Sequence, residues 1–140
     1  MHASLTAQDA AALSAFYKAV FGCVDRRAPR FLSGADVARG NGLPDARLLS
    51  IWLDFPDSDG AFLEILEYEE TPKPKWPAVN APGFSHLAIR VEDLDETLSR
   101  LARAGGTMQG AIVDFGTATS PHRIVYVRDP EGNVLELEQY

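Results

Sequence analysis

Polar and apolar residues alternate along HLAIRV. Leu87, Ile89 and Val91 fall on one side of an extended chain, and His86, Ala88 and Arg90 on the other. The pattern predicts a strand with one face packed on a helix. The helix follows at once: Asp93 and Glu96 have capping-box spacing, and Leu94, Thr97, Leu98 and Leu101 form its buried stripe up to Gly105 and Gly106. A similar helix is predicted in QDAAALSAFYKAVFG, where Leu13, Phe16, Tyr17 and Val20 recur at i, i+3, i+4 and i+7 and Gly22 ends the run. Short alternating or aliphatic runs predict the remaining strands: HASLT, CVDRRA, ARLLSIWLDF and AFLEILEY in the first half, and TMQGAIVDF, HRIVYVR and VLELEQY in the second. PDSDG and DPEGN are the turns of two closing hairpins. PRFLSGADVARGNGLPD reads as a long loop, with a helical turn at ADVAR.

The order strand, helix, three strands is thus written twice. HASLTAQD and HLAIRVED each open on a histidine and reach an aspartate seven residues later. In both closing hairpins a glycine stands four residues before a glutamate flanked by apolar residues, Gly60 before Glu64 and Gly132 before Glu136. Histidine and glutamate lie 62 residues apart in the first half and 50 in the second, and the longer loop absorbs the difference. The expected organisation is a first βαβββ module over 1–70, a proline-rich linker over 71–83 and a second βαβββ module over 84–140.

Composition narrows the function. Thirteen basic and twenty acidic residues leave a formal charge of −7, which argues against a nucleic-acid surface. No apolar run reaches the length of a membrane span, and no leader pattern opens the chain. A lone cysteine, Cys23, forbids an intrachain disulfide and suits a cytoplasmic protein.

Alternation also sets where the polar residues point. Glu64 opposes Leu63 and Ile65, Glu136 opposes Leu135 and Leu137, and His2 has the same register as His86. Each half can present one histidine and one glutamate away from its helix. Carboxylates on a covered face are costly, and two brought together repel; a divalent ion relieves both problems. Two imidazoles and two carboxylates suit zinc, nickel, iron, cobalt or manganese, and leave positions open for water or substrate. Such an ion polarises a carbonyl or enediolate oxygen, while a glutamate moves a proton at the adjacent carbon. Structural strands carry such residues too: glutamates facing solvent, or a histidine bonded to backbone.

His2 through Phe16 and Tyr17, HLAIRVEDLDETL and above all DPEGNVLELEQY resemble the vicinal oxygen chelate superfamily, that of glyoxalases, bleomycin resistance proteins and extradiol dioxygenases. The resemblance spans nearly the whole chain. It implies an α+β fold in which two βαβββ modules form an incompletely closed mixed β-barrel with flanking helices around a metal. It also implies one divalent ion per site, with His2, Glu64, His86 and Glu136 as ligands. With only Met1 ahead of His2, a site with three protein ligands stays open.

The implied activity resembles lactoylglutathione lyase or methylmalonyl-CoA epimerase: a metal-stabilised enolate with Glu136 as base and Glu64 as partner or second base, on a small molecule with adjacent oxygens. Arg90, His122, Arg123, Trp52 and Tyr68 are candidate substrate contacts. The alternatives are an iron-dependent extradiol-type dioxygenase, for which His122, Tyr68 and Tyr126 supply further side chains, and a non-catalytic binding protein of the resistance type. Family members often pair modules across a homodimer, so the site could cross chains, and the long loop could be either lid or dimer contact.

Overall fold

A computed structural model of the 140-residue chain describes residues 1–56, 58–73 and 75–140. Asp57, in the expected PDSDG turn, and Pro74, in the expected linker, lie outside the described residues. Contacts divide the chain into two compact units, residues 1–18 with 22–74 and residues 19–21 with 75–140.

The first module runs β1 (His2–Thr6), α1 (Ala10–Phe21, its last three residues counted with the second unit), β2 (Val24–Asp25), β3 (Arg30–Leu32), α2 (Ala35–Asn41), β4 (Leu48–Asp54) and β5 (Phe62–Tyr68). Its sheet has the order β1-β5-β4-β2, with β3 also on β4. The second unit runs β6 (Leu87–Arg90), α3 (Leu94–Arg103), β7 (Thr107–Met108), β8 (Val113–Asp114), β9 (Arg123–Arg128) and β10 (Val134–Gln139). Its order is β6-β10-β9-β7, with β8 also on β9. In both, the first strand pairs parallel with the last, and the last pairs antiparallel with the one before it. The expected pair of βαβββ modules is present, each with a mixed sheet.

The strand next to each helix departs from expectation. The expected TMQGAIVDF strand is broken into β7 and β8, both on β9, while the expected CVDRRA strand shortens to β2 and is followed by β3, both on β4. In the first unit Pro29 falls in the gap, where it has no N–H to give the ladder. In the second, Gln109 and Gly110 both donate to the Tyr126 carbonyl, at 2.9 and 3.2 Å, so two residues oppose one and pairing stops. The expected long loop holds β3 and the seven-residue α2, which has no buried residue.

Helix ends are closed by side chains. Asp9 Oδ1 accepts from the Ala12 N–H at 2.8 Å, and Glu67 of β5 accepts from the Ala10 N–H at 2.7 Å. Gly22 ends α1 at φ 71°, its N–H bonded to the Lys18 carbonyl. For α3, Asp93 accepts from the Glu96 N–H, whereas the Glu96 carboxylate turns along the helix to Arg100 and Arg103, each at 3.6 Å. Gln139 laces β10 to this helix, accepting from the Leu94 N–H and donating to the Glu92 carbonyl.

Glu67 and Gln139 show which sheet face each helix covers. On that face lie Leu53, Leu63 and Ile65 in the first unit and Val125, Val127, Leu135 and Leu137 in the second, all nearly inaccessible to solvent. Each such side chain contributes about 1.5–3 kcal/mol by leaving water. Cys23, just after α1, is also buried, and burial pushes its thiol up to about 12, so it stays protonated at neutral pH.

The chain entering the second unit is strapped to the β9–β10 turn. Arg128 donates to the carbonyls of Gly132 (2.6 Å) and Pro77 (2.9 Å) and to Gln109 (2.7 Å). Asp129 holds the turn by accepting from the N–H groups of Glu131 and Asn133. Trp76 lies directly on Gly132, whose φ is 85° and whose missing Cβ leaves room for the indole. Gly132→Ala therefore introduces both left-handed strain and an overlap with Trp76. It is expected to lower unfolding stability by about 1–3 kcal/mol, read as a reduced urea midpoint with an unchanged m-value; an unaltered midpoint would contradict this packing.

Candidate functional site

The register that builds each sheet also assembles a histidine–glutamate pair on the face opposite the helix. In the first unit His2 stands beside Phe62, and Glu64 is the next residue of β5 on that face. The parallel β6–β10 register does the same for His86, which immediately precedes β6, and Glu136, which is paired with Ala88. Nε2 of His86 is 2.9 Å from Glu136 Oε2, and Nε2 of His2 is 3.6 Å from Glu64 Oε2. The glutamates are largely sheltered, at 17% and 15% side-chain exposure, while His2 is the most open of the four at 48%.

Each glutamate has an aromatic donor directly opposite it on the neighbouring antiparallel strand. Trp52 opposes Glu64, and Tyr126 opposes Glu136. The Trp52 indole N–H donates to Glu64 Oε1 at 2.9 Å, and the Ser50 hydroxyl donates to the same oxygen at 3.1 Å. Oε2 is thereby left facing His2. In the second unit the Tyr126 side chain stands opposite Glu136; burial first, then the facing carboxylate as acceptor and as charge, holds the phenol above the usual tyrosine range.

The histidine rings are oriented as well. His2 stacks on Phe62 at 4.9 Å, and Phe62 stacks on Trp52 at 4.4 Å. His86 meets the Tyr126 ring edge-on at 5.1 Å, and its Nδ1 lies 2.9 Å from the Ser85 hydroxyl, which leaves Nε2 to the carboxylate.

The expected substrate contacts divide between faces. Trp52 lies on the site face as described. Tyr68 shares that face of β5 and meets Asn41 of α2 at 3.4 Å. Arg90 pairs in register with Glu138, and its guanidinium sits over the Tyr140 ring at 4.8 Å. His122 lies 3.2 Å from Glu138 and edge-on to Tyr140, giving the second unit another histidine–glutamate pair on this face. Arg123 turns to the helix side, where Asp95 and Gln139 engage it; that guanidinium holds the exposed Asp95 carboxyl below its ordinary range.

Sequence reading missed Ser50, the Glu138 partner of His122 and an arginine, Arg27, whose guanidinium lies flat on Trp52 at 3.5 Å. Hairpin register could have found Trp52 and Tyr126 as the partners of the glutamates; nothing local to RRA marks Arg27.

The donors are imidazole nitrogen and carboxylate oxygen, which suit a divalent transition ion and not a thiolate structural site. They occur two at a time: among the described residues, no group of three or more His, Cys, Asp and Glu side chains is arranged to hold a metal ion.

Residues 1–137 match the model of the glyoxalase/bleomycin resistance protein/dioxygenase superfamily, and the chain belongs to that superfamily. Its fold is shared with a glyoxalase family protein from Bacillus cereus (TM-score 0.87, 22% identity, 99% of this chain and 91% of that one). Glyoxalase I from Zea mays aligns with a TM-score of 0.70 at 20% identity, over 99% of this chain and 43% of the plant chain. A virulence protein of Salmonella typhimurium is 32% identical over 75 residues, 53% of this chain; the match spans half the length of that relative. No helix among the described residues is long and apolar enough to cross a membrane.

Removal of the Glu136 charge should lower the Tyr126 pKa, because the facing carboxylate favours the protonated phenol and repels the phenolate. Burial persists in Glu136→Gln, so the return toward the ordinary value is partial. NMR titration of ring-labelled tyrosine should show one resonance moving to lower pKa; four unaltered titrations would count against the influence of Glu136 on Tyr126.

Proposed function

We propose that the chain is a divalent-metal-dependent lyase or isomerase of the glyoxalase type, acting on a small molecule with adjacent oxygens. His2, Glu64, His86 and Glu136 are its metal ligands in this reading. The observation that supports it is the repeated register: in both modules a first-strand histidine turns Nε2 toward a last-strand carboxylate. Two such pairs, from one chain or from two chains of a homodimer, make up the ligand set. A cytoplasmic setting fits the single buried cysteine.

When bound, an ion of this class stabilises the negative charge of an enolate oxygen. Proton transfer falls to the glutamates, and their surroundings divide the work. Glu64 has two donors on one oxygen, which pin it and favour a holding role. Glu136 stands opposite Tyr126, whose hydroxyl can turn as the carboxylate takes a proton, which favours Glu136 as the base at the carbon beside the carbonyl. Trp52 in the first unit, and Tyr126, Arg90 and His122 in the second, are the substrate contacts in this reading.

A second reading has a specific observation in its favour. Tyr126 and His122 stand on the same sheet face as His86 and Glu136, and an additional tyrosine and histidine are what an iron-dependent ring-cleaving dioxygenase requires. Oxygen uptake on addition of catechol to the iron-loaded protein separates the two.

Protein dialysed against zinc, nickel, cobalt, iron or manganese should retain about one ion per chain by elemental analysis. No retained metal after reconstitution would end this reading and favour a binding protein. In the loaded protein Glu136→Gln should abolish proton exchange beside a substrate carbonyl, followed by deuterium wash-in, with weaker metal binding. Full exchange by the variant would remove Glu136 as the base.

A further inference from the structure

Arg26 and Arg27 are neighbours with different fates. Arg26 pairs with Asp54 at 3.1 Å, donates to the Gly60 carbonyl and covers Phe62. Arg27 lies with its guanidinium on the Trp52 ring at 3.5 Å and, among the described residues, has neither a hydrogen bond nor a carboxylate partner. Its Nε–H is shut off from water and unsatisfied. A half-buried guanidinium without a counter-charge, one of its donors cut off from water, is unusual in a chain of net charge −7, where acidic groups outnumber basic ones. The indole beneath it is the one whose N–H holds Glu64. One ring's breadth therefore separates a spare guanidinium from a carboxylate that faces His2.

We propose that Arg27 is the docking point for the anionic end of the substrate, which is accordingly a small carboxylate whose adjacent oxygens lie within a few bonds of its charge. This rests on the metal-site reading for the role of Glu64, though not for binding itself. Stacking on Trp52 fixes the plane of the guanidinium, and a carboxylate matches its planar fork with two parallel hydrogen bonds. The stacked pose also limits the loss of side-chain freedom on binding. Reaching Nε takes a small swing of the half-buried side chain, which gives that orphaned donor its first partner. Arg27 and Phe62 cover the faces of the indole, so a ligand passing the edge of Trp52 has its charged end at Arg27 and its other end at Glu64. Neutral analogues have no group that uses the guanidinium.

The test uses the full chain, freed of metal with a chelator, and pyruvate as probe with methyl pyruvate as its uncharged counterpart. Two tryptophans give two indole N–H resonances, and a Trp76→Phe spectrum assigns them. Pyruvate should shift the Trp52 resonance saturably at millimolar concentration, more weakly as salt is raised, and leave that of Trp76 in place. Methyl pyruvate should not. Arg27→Gln should weaken pyruvate binding by at least about 10-fold with zinc stoichiometry unchanged. If that variant fails to fold, Arg27→Lys serves instead, since it keeps the charge and loses the fork, and should also bind more weakly. No saturable shift up to tens of millimolar, equal binding of the ester, or undiminished binding by the folded variant would overturn the proposal. Zinc binding is scored separately, so loss of the metal reading and loss of the Arg27 site are distinguishable.

Discussion

Everything at the site depends on one kind of backbone pairing, the parallel ladder between the first and last strand of each module. It sets His2 beside Phe62 and Ser4 beside Glu64, and in the second module it pairs Ala88 with Glu136. Side chains alternate with a period of two, so a slip of one residue would send Glu64 under α1 and Leu63 or Ile65 to the open face. The buried aliphatic set and the polar set thus enforce each other. Burial of Leu63, Ile65, Leu135 and Leu137 fixes the register, and the register delivers the carboxylates to the histidines. The antiparallel hairpins then add Trp52 and Tyr126 opposite those carboxylates.

Within that shared plan the two modules have diverged. The first surrounds its glutamate with groups that hold: an indole donor, a serine hydroxyl and a stack running from Trp52 through Phe62 to His2. The second has a phenol at the same place and a further histidine–glutamate pair one step along the strand. An indole only donates, whereas a phenol both donates and accepts. The duplication therefore preserved geometry while the donor chemistry of the halves drifted apart, and superfamily membership alone does not carry that distinction.

The repeat, its helices and the faces of its longer strands were legible because alternation and helical spacing report directly on burial. The parity that put His86 and Glu136 on one face also assigns Arg123 to the other, with Val125 and Val127, so its engagement by Asp95 was within reach. Of the short strands, β2, β7 and β8 lie within the expected runs but are shorter, the second run being interrupted at Gly110, while β3 was not legible, since three residues beside Pro29 carry no period. Arg27 was hidden for a different reason. Its position depends on how a short turn folds back onto β4, a contact between distant segments with no local mark in RRA. Trp76, in a segment that reads as plain linker, gains its place only from the absent side chain at Gly132.

The ladder between first and last strand also has a consequence in time. His2 and Glu64 are joined by nearly the whole first module, so their meeting closes a loop of some sixty residues, and the second pair closes one of fifty. Such nonlocal contacts come late in folding. On a growing chain the histidine emerges first and waits for the module's final strand. A paired imidazole and carboxylate thus certifies a finished module.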